Sequence, residues 1–124
     1  MMLKTLGLVV AVLGAAMVPA MAQSACQEPI APAAVDGAMA TTSQMEHARD
    51  DVLTFIKQSD DYQTCLLKEF SDGRDEALKN KKTLDPSAEI AVQTKISENQ
   101  HLKEKVGEEY NDAVKAYKGK HPSG

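Results

Sequence analysis

Between Met45 and Leu66 apolar or small side chains recur at alternating steps of three and four: Met45, Ala48, Val52, Phe55, Ser59, Tyr62 and Leu66. Ile56, Leu67 and Phe70 widen the stripe. A period near 3.6 predicts an amphipathic helix. A second stripe (Val92, Ile96, Asn99, Leu102, Val106, Tyr110, Ala113, Tyr117, flanked by Ile90 and Val114) predicts another. No such period runs through Gln23 to Ala40, where Pro29, Pro32 and Asp36-Gly37 predict an extended, polyproline-like or turning segment.

Local chemistry sets the ends. Thr41 with Gln44, or Ser43 with Glu46, makes a capping box. Glu46, Asp50 and Asp51 near the start and Lys79, Lys81 and Lys82 at the end suit the helix dipole. Gly73 is the weak point, but Asp75–Lys79 pairing and Ala77-Leu78 predict that the helix continues through it. Asp85-Pro86 supplies an N-cap and a first-position proline for the second helix, with Glu89 in its first turn. Lys115, Lys118 and Lys120 favour its C-terminal end, where Gly119 and Pro122 are expected to stop it. The helices are expected over about 41–82 and 86–118, within a hairpin spanning 41–119, followed by a tail over 120–124.

The short connection around Thr83-Leu84-Asp85 forces the helices antiparallel. Folding there sets Leu66 near Leu102, Tyr62 near Val106, Ser59 near Tyr110 and Phe55 near Ala113, with small side chains facing large ones. The expected fold is all-α: a two-helix hairpin carrying an extended N-terminal strap over 23–40.

Composition bears on how such a hairpin holds together. Met1 to Thr5 carry Lys4, Leu6 to Val18 are apolar, and Ala20-Met21-Ala22 is small-x-small. These are the parts of a signal peptide over 1–22, cleaved after Ala22, and the run falls short of the ~20 residues of a membrane span. A lipoprotein acylated at Cys26 is the alternative, but it lacks the usual Leu three positions earlier. Periplasmic or secreted location follows, with no transmembrane segment in the mature chain. Losing Lys4 takes the formal charge from -4 to -5, leaving no basic surface for nucleic acid.

There is no Trp, and Phe55, Phe70, Tyr62, Tyr110 and Tyr117 are the only aromatics. So light a core calls for a covalent staple or a partner. The two cysteines of an exported chain are most simply one disulfide. Cys65 lies ~36 Å along the first helix at 1.5 Å per residue, and the segment from Cys26 reaches ~45 Å if extended. It can turn at Asp36-Gly37 and return to Cys65, covering one groove with Ile30, Ala31, Ala33, Ala34 and Val35. A redox role is disfavoured, because catalytic dithiols sit close together as in C-x-x-C.

Gln63, Asn99, Gln100 and Asn111 are candidates to bond the strap backbone, which has no neighbouring strand. Alternatively Asn99 fixes hairpin register, as a polar residue in a coiled-coil seam does. Gly107, costing its helix ~1 kcal/mol, suggests close approach by the strap or a second subunit. His47 with Asp50 and Asp51 lacks a second His or a clustered Cys/His set, so a metal site is not expected. Asn99-Gln100-His101 reads as a polar patch, and the Lys79 to Lys82 run as a solvated helix end. No nucleophile stands beside a base and no carboxylate pair is isolated, so neither catalysis nor a cofactor is expected.

Cys26 to Pro29 (C-x2-P), Asp36-Gly37, Ala40-Thr41, Met45, Phe55-Ile56, "YQTCL", "NQ", "KVGEEYNDAV" and a closing "AYK" together resemble a group of small exported proteins of alphaproteobacteria. The resemblance spans the mature chain. It implies export, paired cysteines and a helical fold, and it carries over no activity and no functional residues.

The expected role is non-enzymatic: binding, scaffolding or another envelope-associated function with an unidentified protein partner. Self-association is one form, two hairpins making a four-helix bundle over Leu67 and Val114, hence a homodimer. A periplasmic chaperone-like or stress-response binder is the alternative, and a metal carrier or enzyme the least favoured reading.

Overall fold

A computed structural model describes residues 25–122; the expected leader, Gln23, Ser24 and the last two residues lie outside the described residues. Helices α1 (Thr42–Lys79) and α2 (Pro86–Lys120) pack as an antiparallel hairpin. Among the described residues there is no strand, and no helix is long and apolar enough to cross a membrane.

Thr41 opens α1 with the first of the two expected capping boxes: its hydroxyl accepts from the Gln44 N–H (3.1 Å) while Gln44 Oε1 accepts from the Thr41 N–H (2.9 Å). The helix continues through Gly73. It ends at Lys79 rather than Lys82 because Lys81 takes a left-handed φ of 54°. The Lys81 N–H then bonds the Leu78 carbonyl (3.1 Å) and the Lys82 N–H that of Ala77 (2.8 Å), a Schellman closure without its usual glycine. Residues 80–85 fold back beside the last turns of α1, and Leu84 borders a cleft with Phe70 and Ala77. Asp85 Oδ1 accepts from the Ser87 N–H (2.9 Å), which with Pro86 starts α2. At its far end α2 passes through Gly119, expected to stop it, and closes at Lys120.

That returning loop moves the register. Its residues descend along α1 instead of crossing at the tip, so each α1 position faces an α2 position two to three turns earlier than expected. Leu66 and Tyr62 pack against Val92 and Ile96, Phe55 against Val106 and Leu102, and Met45 against Ala113. Ser59 faces Asn99 and not Tyr110, with Asn99 Nδ2 donating to Ser59 Oγ at 3.2 Å. Matching small with large side chains therefore gave the wrong register. The buried polar pair decides it, because an unmatched buried donor or acceptor costs ~1–3 kcal/mol.

The strap runs extended from Cys26, bends over residues 37–39 and delivers Ala40 to the open end of the hairpin. The Cys26–Cys65 disulfide joins backbones 5.6 Å apart at Cα. Ala31 packs on the Phe55 cluster and Val35 on the Met45–Ala113 cluster, whereas Ile30 is 90% exposed and Ala33 and Ala34 face solvent. Only part of the segment expected to cover the groove does so. At the bend Asp36 Oδ1 accepts from the Ala38 N–H (3.1 Å) and the Asp36 carbonyl from the Met39 N–H (3.1 Å). Gly37 is buried there, and a Cβ on it would lie 1.8 Å from the Ala113 carbonyl oxygen. The strap's close approach expected at Gly107 occurs at Gly37; a Cβ on Gly107 would meet nothing within 4 Å.

Candidate functional site

A buried polar layer crosses the middle of the hairpin. Ser59 and Asn99 come from the centres of the two apolar stripes and are 0% and 1% exposed. Gln63, one turn along α1, donates through Nε2 to Asn99 Oδ1 (2.8 Å) and to Gln100 Oε1 (3.2 Å). Gln100 Nε2 in turn reaches Glu104 Oε1 (3.5 Å). The amides expected to hold the strap thus bond one another across the helices and carry a polar chain from the core to one flank. Asn111 is exposed and stands apart from this layer, as does His101. The geometry fits the alternative reading of Asn99, a polar residue that fixes how two helices meet.

The two flanks of this layer differ. On the strapped flank the disulfide borders a shallow groove of about 560 Å³ lined by Glu28, Ile30, Gln58, Asp61 and Tyr62. Burial pushes the Tyr62 hydroxyl pKa above its ordinary 10.0, and Glu28, Glu98 and Glu69 push it the same way. Hydrogen bonding to Asp72 raises the Lys68 ammonium, and the Ser87 N–H lowers the Asp85 carboxyl. Each shift deepens a resting charge state, whereas proton transfer needs a pKa brought toward the working pH.

Cys26, Cys65 and Glu69 converge closely enough to suggest a metal site. The two sulfurs are bonded to each other, and a metal needs the thiolate. His47 and Asp51 line a second groove at the strap's bend, while Asp50 pairs with Arg49 (3.4 Å), so these three side chains do not gather at one point.

On the open flank Leu53 and Leu67 are 58% and 56% exposed. Between them Lys103 of α2, its side chain 17% exposed, reaches across to Asp60 at 2.5 Å. Leu53, Asp60 and Leu67 are spaced seven apart and so share one side of α1. Of this row only Leu67 stood out in the sequence, as a surface for self-association; Leu53 and Asp60 did not, because they lie beside the core stripe. Comparisons with protein-family models, with curated proteins and with solved structures give no match.

Proposed function

We propose that the chain is an exported, non-enzymatic binding or scaffolding protein of the periplasm or cell envelope, whose protein partner docks on the flank opposite the strap. One observation carries this reading. The strap closes one side of the hairpin with a disulfide, and the other side keeps two leucines more than half exposed in one row. Single exposed leucines are ordinary, but aligned ones beside a polar, bonded layer have the character of an interface.

Export is supported by the basic, apolar and small-x-small order of the first 22 residues and by an oxidised cysteine pair. A rigid scaffold also lowers the conformational cost of binding, since the polar layer ties α1 to α2 and the disulfide ties the strap to α1 beforehand.

The test is capture from a periplasmic extract with the oxidised mature chain and with Leu67→Arg as a control. A specific partner is expected on the first and lost from the second. Equal capture by both removes the open flank from the reading.

A further inference from the structure

On α1 the positions 46, 53, 60, 67 and 74 read Glu, Leu, Asp, Leu and Arg, each seven residues from the next. Seven residues fall ~20° short of two full turns, so the five side chains form one slowly winding row on the open flank. Glu46 and Arg74 at its ends are exposed, and among the described residues neither has an ion-pair partner. Their neighbours differ: Arg49, Lys57 and Lys68 pair with Asp50, Asp61 and Asp72.

Turned end for end about Asp60, the row meets its own complement. We propose that a second copy of this chain docks antiparallel on it, with a two-fold axis at Asp60. Glu46 of each copy then meets Arg74 of the other, and Leu53 meets Leu67, every contact occurring twice. Asp60 meets Asp60 on the axis, each carboxylate already held by its own Lys103 at 2.5 Å. A parallel pairing is disfavoured by charge, because it sets Glu46 on Glu46 and Arg74 on Arg74. The winding of the row calls for a left-handed crossing of ~20°. This identifies the partner for the flank described above and rests on that reading.

The test is sedimentation equilibrium of the oxidised mature chain, of Glu46→Arg, of Arg74→Glu and of an equimolar mixture of the two variants. All substitutions are at exposed sites, and circular dichroism checks that each variant keeps its helices. The wild type is expected to dimerise. Each variant replaces two attractive contacts per dimer by two repulsive ones and should dissociate at least about tenfold more readily. The mixture restores both pairs and should recover wild-type association, which a general loss of stickiness does not predict. Leu67→Arg should be monomeric.

A wild type that stays monomeric to about 1 mM, where even weak pairing would show, overturns the second copy. So do variants that associate as the wild type does, or a mixture no tighter than its components. None of these outcomes touches the broader reading, which fails only if extract capture ignores Leu67→Arg.

Discussion

Along the strapped flank the chain lays its own N-terminal segment against the hairpin, anchored by Cys26–Cys65 and seated by Gly37 on the backbone of α2. Along the other flank Leu53 and Leu67 stand in solvent, and Gly107 has empty space above it. Both sides flank the same core, so the difference lies in what holds a cover in place. The strap buries its two ends, Cys26 against Tyr62 and Leu66 and Ala40 against Met45 and Ala113; between them only Ala31 and Val35 pack on the core clusters, and Ile30 is exposed. So little apolar area offsets the entropy of ordering an extended segment poorly. Covering the first flank therefore depends on a covalent end and a missing side chain, while among the described residues no segment of the chain is tied down over the second.

The largest effect tests the covalent end. In the chain-entropy picture a crosslink between residues 39 apart contributes ~4 kcal/mol. Cys26→Ser with Cys65→Ser is expected to lose about that much in urea unfolding. The strap should also become protease-sensitive while α1 and α2 keep their helical signal. A loss below ~1 kcal/mol, within the range of a single hydrogen bond, places the hold on packing and removes the contrast between the flanks.

Where the sequence could be read, the reason was that the information was local or a matter of length. Thr41 and Gln44 cap each other three residues apart, Asp85-Pro86 starts a helix by its own chemistry, and the reach of the strap matched the distance to Cys65. Register is neither local nor a length. It depended on Lys81 adopting a left-handed conformation that lysine seldom takes, which sends Leu84 back along α1. One usable signal was present: Ser59 and Asn99 are the polar members of two apolar stripes, and requiring them to meet gives the observed pairing. The seven-residue row from Glu46 to Arg74 was legible too, but only once the core stripe and the strap had been assigned to other sides.

The two glycines sharpen the comparison at intermediate scale. At Gly37 an added methyl group must displace the Ala113 carbonyl or lift the strap. Gly37→Ala is expected to cost ~1–3 kcal/mol, the range for overpacking. Gly107→Ala meets nothing in its own chain and gains helix propensity, so it should add ~1 kcal/mol. Thermal unfolding of the two variants measures both. Opposite signs are expected, and a shared sign means that the flanks do not differ in how closely another backbone lies.

The smallest effect is one of pH and belongs to the strapped flank alone. Tyr62 sits beside the disulfide, its hydroxyl pKa held above 10.0 first by burial and then by Glu28, Glu98 and Glu69. Below pH 10 the phenol is neutral whether the chain is folded or not, so it contributes no slope. Above that pH the unfolded chain releases the proton while the folded one keeps it. The unfolded state then binds fewer protons, and stability must fall as pH rises. Other tyrosines and lysines titrate in the same region, so the informative quantity is a difference. The stability of Tyr62→Phe relative to the wild type should be flat below pH 10 and should climb above it. An equal decline in both chains means that the strap and its carboxylates do not shelter this hydroxyl. A difference that persists in the Cys26→Ser, Cys65→Ser background traces the burial to α1 and α2, whereas its disappearance traces it to the strap.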